Sequence, residues 1–124
     1  MLKVVIAGAT GYTGAELLRL LVRHSKVEIV GVTSEQSFGE PITTRLPFLK
    51  GHTDLILEKL DPDQLAEKAA LIFSALSHTQ GMKAVREWIE AGKKVIDLSA
   101  DYRLESASLY EKWYKTPHLE PALL

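Results

Sequence analysis

Three evenly spaced glycines, Gly8-Ala-Thr-Gly11-Tyr-Thr-Gly14, stand directly after a short β-branched stretch, residues 3–7 (KVVIA), and constrain this chain more than any other feature. An apolar, β-branched run cut off by glycine reads as a short strand buried on both faces. From Ala15 the apolar positions Leu17, Leu18, Leu21 and Val22 recur at helical spacing, with Glu16, Arg19 and Arg23 on the other side. Strand, tight turn and amphipathic helix in immediate succession open a βαβ unit. In that setting a backbone without Cβ lets a pyrophosphate approach and the helix pack close to the strand, while the free N–H groups and dipole of the helix start attract phosphate. The spacing G-x-x-G-x-x-G is related to the dinucleotide fingerprint G-x-G-x-x-G without being identical to it, so the context carries the expectation of nucleotide binding more than the glycines do.

The rest of the chain continues the pattern. Residues 28–33 (EIVGVT) predict a second strand, followed by a polar loop with Gly and Pro over about residues 34–51 and a third strand at 54–57. Asp61, Pro62 and Gln64 combine an N-cap, proline at the first helical position and a capping-box partner, predicting a short helix over 62–68. Residues 70–75 (ALIFSA) predict a strand, Met82, Val85 and Ile89 a helix ending at Gly92, and 94–98 (KVIDL) the last strand. The order β-α-β-β-α-β-α-β, with strands that are continuous apolar runs, predicts one α/β domain over residues 1–124 with a doubly wound parallel sheet of the Rossmann type. The segment 103–124 carries Tyr110, Trp113 and Tyr114 with no evident sheet partner.

Composition narrows the function. Fifteen Lys and Arg stand against sixteen Asp and Glu, with no basic block to track a phosphate backbone, so no nucleic-acid partner is expected. With no cysteine, these residues offer no disulfide, thiolate metal ligand or thiol nucleophile. His24, His52, His78 and His118 show no paired ligand spacing, and no metal site is expected. No apolar run is long enough to span a bilayer and no signal-peptide core follows Met1, so no membrane association and a cytoplasmic location are expected.

The adenosine ribose of a bound dinucleotide would meet the end of the second strand, where the chain reads Thr33-Ser34-Glu35-Gln36-Ser37. Hydroxyls there can donate to a 2′-phosphate, whereas Glu35 would repel it and accept from a free 2′-OH. The two signals point to NADP and NAD respectively.

Several segments together resemble the N-acetyl-gamma-glutamyl-phosphate reductase family, within the wider group that includes aspartate-semialdehyde dehydrogenase. They are GATGYTGAELLRLL, VTSEQSFGEPI, SALSHTQGM, VIDLSADYRL and LYEKWY, which run through essentially the whole chain, VIDLSADYRL being the most specific. The resemblance implies NADPH-dependent reduction of N-acetyl-glutamyl 5-phosphate to the 5-semialdehyde in arginine biosynthesis, by a homo-oligomeric full-length enzyme acting on a small acyl phosphate. It also implies that the cysteine nucleophile belongs to a later substrate domain, so no catalytic residue is expected among these 124 and the chain alone is expected to be inactive.

Carried over by position, Gly8, Thr10, Gly11, Tyr12, Thr13 and Gly14 match the pyrophosphate turn, and Ser34, with Ser37 nearby, the adenosine-phosphate region. Ala75, Leu76 and His78 match the segment near the nicotinamide. Ser77 stands where the family usually has proline, and Glu35 where a basic or neutral residue is common. By the same resemblance Arg103 reaches the substrate phosphate, a task suited to a guanidinium fork. On the residues alone, a surface arginine or a partner for Asp101 is the favoured reading.

Two further readings compete with this one: an aspartate-semialdehyde dehydrogenase, and a nucleotide-sensing module without catalysis. A short-chain dehydrogenase needs Tyr-x-x-x-Lys, and none of Tyr12, Tyr102, Tyr110 or Tyr114 has lysine four residues on.

Overall fold

The structure, a computed structural model, describes residues 1–77 and 81–124. Strand β1 (Leu2–Ala7) leads through the glycine turn into helix α1 (Tyr12–Leu21) and strand β2 (Val27–Val32). A long connection then holds a single turn of helix, α2 (Ile42–Arg45), and a 3₁₀ turn at Pro47–Leu49. Helix α3 (Pro62–Lys68), strand β3 (Leu71–Ser74), helix α4 (Met82–Glu90) and strand β4 (Lys94–Asp97) follow, and the chain closes with helix α5 (Ala107–Tyr114) and a 3₁₀ turn at Pro121–Leu123.

The four strands form one parallel sheet in the order β2-β1-β3-β4. Both faces are covered, as the unbroken apolar strands predict. Val5 and Ala7 pack with Ile72 against Leu65 of α3 and Val85 and Trp88 of α4, while Ile6 and Val32 pack on the other side with Leu18 of α1, Ile42 and Leu49. Neighbouring residues of one strand thus belong to opposite cores, the signature of a doubly wound sheet. The chain leaves β1 toward β2 and returns to the far side of β1 as β3, so the winding reverses between β1 and β3. Open α/β sheets bind ligands beyond the carboxyl ends of the strands at such a reversal.

Local signals account for the helix ends. Asp61 Oδ1 accepts the Gln64 N–H at 3.3 Å and Pro62 occupies the first helical position, as the sequence predicts. At the end of α4, Gly92 takes φ +79°, its N–H donates to Ile89 O, and Lys93 N–H donates to Trp88 O, each at 3.0 Å. This doubled closure is the Schellman motif, and its left-handed residue favours glycine. The Trp88 indole N–H donates to Pro62 O at 3.0 Å and locks α4 onto α3.

Two expectations are corrected. Residues 54–57 do not form a sheet strand; Ile56 makes an isolated bridge with Pro41, and the next residue after the segment, Glu58, one with Thr33. The reason is a change of partner: Leu55 and Leu57 bond to Ile42, Gly39 and Glu40, and one residue later Glu58 bonds to Val32 and Ser34. No single neighbour runs alongside long enough to build a ladder, and Pro41 has no N–H to extend one. The other correction concerns β4, whose apolar run predicts burial on both faces. It is an edge strand in this sheet, and Ile96 and Leu98 are partly exposed. Among the described residues, no helix is long and apolar enough to cross a membrane.

The segment after β4 forms a third core. Met82 of α4, Ala100 and Tyr110 of α5 bury one another, with Tyr102 and Leu104 packed alongside. Ser106 caps α5 by accepting the Leu109 N–H at 3.2 Å, the arrangement that favours serine at a helix start.

Candidate functional site

The glycine turn divides its work among its three glycines. Gly8 has φ +81°, and a Cβ there would lie 2.6 Å from the Ala75 carbonyl oxygen, so glycine is required for the ends of β1 and β3 to meet. A Cβ on Gly14 would lie 2.7 Å from Ala9 Cα, so the third glycine seats α1 on the turn. Gly11 is different: a Cβ there would meet nothing within 4 Å. It is the N-cap of α1, carries no side-chain cap, and sits where the first N–H groups of the helix have no intrahelical partner.

The end of β2 holds this turn in place. Gly8 N–H donates to Thr33 Oγ1 at 3.0 Å, Ala9 N–H to Thr33 O at 2.8 Å, and the hydroxyls of Thr10 and Ser34 share a hydrogen bond of 3.0 Å. Ser34 Oγ also accepts the Ser37 N–H at 3.1 Å, which folds the chain back after β2.

An open cleft of about 540 Å³ lies over the carboxyl ends of the strands. Gly8, Thr10, Gly11, Tyr12 and Thr13 line it from the turn, Thr33, Ser34, Glu35 and Gln36 from the end of β2, Ala75, Leu76 and Ser77 from the end of β3, and Leu98 and Ser99 from the end of β4. The wall is rich in hydroxyls and backbone N–H groups, and Glu35 is its one ionisable carboxylate among the described residues. Glu35 Oε1 accepts the Leu60 N–H at 3.0 Å, which ties that carboxylate to the connection before α3.

Eight of the residues singled out from the sequence therefore meet in one cleft: Gly8, Thr10, Gly11, Tyr12, Thr13, Ser34, Ala75 and Leu76. Gly14 is buried beneath it, and Ser37 is buried to one side and does not line it. His78 lies outside the described residues. Arg103 is exposed and lines a separate groove of about 430 Å³ with Asp97 and Tyr102. Its guanidinium donates through Nε to Ser99 O at 3.2 Å and through Nη2 to Asp97 O at 3.3 Å. The carboxylate of Asp101 instead accepts the Tyr110 hydroxyl at 2.7 Å.

Thr33, whose hydroxyl the sequence offers to the adenosine side, also lines the cleft, as do Gln36, Ser77, Leu98 and Ser99, which the sequence did not mark as site residues. The available signal was position: each falls at or just beyond the carboxyl end of a parallel strand, where a doubly wound sheet places its ligand. Among the described residues, no group of three or more His, Cys, Asp or Glu is placed to hold a metal ion.

Residues 3–122 match the family model described as semialdehyde dehydrogenase, NAD binding domain. A protein of Geobacter sp. (strain M21) named N-acetyl-gamma-glutamyl-phosphate reductase is 52% identical over 124 residues, covering 100% of this chain and 36% of that protein. One of the same name from Citrifermentans bemidjiense is 51% identical with the same coverage. The chain thus spans about a third of the length of the relatives it matches. Among solved structures, aspartate semialdehyde dehydrogenase with NADP from Candida albicans is 24% identical, with a TM-score of 0.74 over 86% of this chain and 32% of that one. That likeness shows the fold.

Proposed function

This chain belongs to the family of semialdehyde dehydrogenase NAD-binding domains, and from that premise we propose that it is the nucleotide-binding unit of an N-acetyl-gamma-glutamyl-phosphate reductase, with NADP as its cofactor. The observation that carries the proposal is the uncapped start of α1 at Gly11, open toward a hydroxyl-lined cleft at the winding reversal of the sheet. Identities of 52% and 51% to proteins named as that reductase support it over the aspartate-semialdehyde reading.

The residues present fit a dinucleotide. The N–H groups at the start of α1 would take the pyrophosphate, with Thr10 and Thr13 beside them, and Ala75 and Leu76 would flank the nicotinamide end. Ser34 would serve the adenosine side, with Ser37 holding the fold of that loop through its bonded N–H. When bound, the cofactor supplies the hydride that reduces the acyl group. Arg103 would hold a phosphoryl oxygen through the donors it does not spend on Ser99 and Asp97. The covalent route needs a thiolate, and these 124 residues contain no cysteine, so the nucleophile is proposed to come from another part of the enzyme. The same reading takes the enzyme to be a cytoplasmic homo-oligomer.

The test is a pair of assays. Full-length protein is expected to oxidise NADPH when given N-acetyl-glutamyl 5-phosphate and not with aspartyl phosphate, while the 124-residue chain binds NADP without turnover. Activity with aspartyl phosphate alone, or turnover by the purified chain, would refute the proposal.

A further inference from the structure

We propose that Tyr110 and His118 are positioning residues which grip Asp101 and thereby set where Arg103 presents its guanidinium to a phosphoryl group; this rests on the reductase reading above. The turn from Asp97 to Arg103 is stitched internally by short-range bonds. Ser99 donates through N and Oγ to the two Asp97 carboxylate oxygens at 3.1 and 2.9 Å, Asp101 N–H donates to Ser99 Oγ at 3.2 Å, and Arg103 N–H donates to Ala100 O at 3.2 Å. Arg103 then folds back on the same turn through the Ser99 and Asp97 carbonyls. The aim of its guanidinium therefore follows the backbone of residues 97–101.

That backbone is held from outside by the closing segment of the chain. Tyr110 on α5 is fully buried and donates its hydroxyl to Asp101 Oδ1 at 2.7 Å. His118 is 7% exposed and stands edge-on to the rings of Tyr102 and Tyr110, with centroids 5.4 and 4.9 Å away. Its Nδ1 accepts the Glu120 N–H at 3.1 Å, so the ring proton is on Nε2, which donates to the Asp101 carbonyl. One residue thus fixes the Asp101 side chain and the other its backbone. Asp101 itself is 1% exposed and does not line the cofactor cleft. Among the described residues, a brace on Asp101 reaches the ligand through Ser99, whose Oγ accepts the Asp101 N–H, and through the turn that carries Arg103. Of these, Ser99 reaches the cleft and Arg103 the neighbouring groove.

The experiment uses the full-length enzyme run in reverse, from semialdehyde, NADP and inorganic phosphate, with the KM of each measured separately. Tyr110→Phe and His118→Phe are expected to raise the KM for phosphate about tenfold, the scale of a lost hydrogen bond near a charged group, and to leave the KM for NADP unchanged. His118→Gln, which keeps a donor and an acceptor, is expected to recover much of the loss. In an Arg103→Ala background neither brace variant should add to the defect, because coupled residues are not additive. Calorimetry of inorganic phosphate binding to the NADP-loaded protein reads the same change without turnover.

A rise in the KM for phosphate in Arg103→Ala but not in the brace variants would overturn the brace and leave the reductase reading standing. Brace effects that add fully to Arg103→Ala, or that lower every parameter together with thermal stability, would reduce Tyr110 and His118 to structural residues and overturn it equally. Unchanged phosphate affinity in Arg103→Ala itself would overturn both the brace and the assignment of Arg103. Wild-type enzyme that binds phosphate through Arg103 but fails to reduce the acyl phosphate would sink only the reductase reading.

Discussion

Thr33 Oγ1 accepts the amide N–H of Gly8 at 3.0 Å, across 25 residues of sequence, and the Thr33 carbonyl takes the next amide, that of Ala9. The path of the glycine turn is therefore set by the end of β2 as much as by its own residues. Thr33→Val keeps the side-chain shape and removes the acceptor. Thr33 is 1% exposed, so the Gly8 amide would be left without that partner, at a cost of about 1–3 kcal/mol. A lower urea midpoint with an unchanged slope, together with weaker NADP binding, is expected. Unchanged values of both would mean that the turn holds its shape unaided.

The glycines should separate stability from binding. Gly11→Val faces open space in the free protein, so the variant is expected to fold normally, with its thermal midpoint near that of the parent, and to bind NADP at least about tenfold more weakly because a branched side chain occupies the phosphate approach. Gly8→Ala is expected to do the reverse kind of damage: its backbone has φ +81° and its Cβ would press on Ala75, so folding should suffer by about 1–3 kcal/mol or more. Calorimetric affinity for Gly11→Val equal to wild type, in a folded variant, would mean that the phosphates do not lie over α1.

On the proposed reading, cofactor preference would turn on the end of β2. Glu35 is held by the Leu60 N–H and exposed, where salt screens its charge. Glu35→Gln is accordingly expected to change NADP affinity little. Ser34→Ala should weaken NADP more than NAD, since it removes a hydroxyl that also ties Thr10 and Ser37. Titrations in which wild type prefers NAD and Glu35→Gln gains NADP binding would reverse the assignment.

The third core predicts a response to alkali. The phenols of Tyr102 and Tyr110 are held above the ordinary value of 10.0, chiefly by burial, and for Tyr110 also by its hydrogen bond to Asp101. The folded protein keeps these protons where the unfolded chain releases them, so their contribution is whole below about pH 10 and is lost as the pH rises beyond it. Urea midpoints measured from about pH 8 upward should fall past pH 10, and Tyr110→Phe should flatten that fall. A parallel decline in wild type and variant would assign alkaline sensitivity to other groups.

What the sequence made legible was local. The glycine turn, the Asp61 cap and the Gly92 closure each depend on residues within a few positions of one another, and all three stand in the structure. Residues 54–57 misled because β propensity does not reveal a change of partner: their bonds go to Gly39, Glu40 and Ile42, while those of the next residue, Glu58, go to Val32 and Ser34 at the end of β2. The role of Ser99 was hidden for a similar reason: it reaches the cleft only because β4 pairs with β3. Tyr110 and Trp113 read alike as apolar tail residues, yet Tyr110 is fully buried and Trp113 is 67% exposed. The difference lies in α5 packing against Met82, a contact across the fold with no local signature.

The cleft draws its walls from the ends of all four strands, and the bonds from Thr33 to Gly8 and Ala9 join segments that are far apart in the chain. The glycine turn alone supplies only one wall of it, and the others come from the ends of β2, β3 and β4. On the proposed reading a dinucleotide would bind the folded sheet and not the unfolded chain, so its binding would be linked to the stability of the fold. Ligand at about a hundred times its dissociation constant would add roughly 2.7 kcal/mol to the stability of the native state, so the proposed cofactor would act on this domain as a stabiliser of its fold.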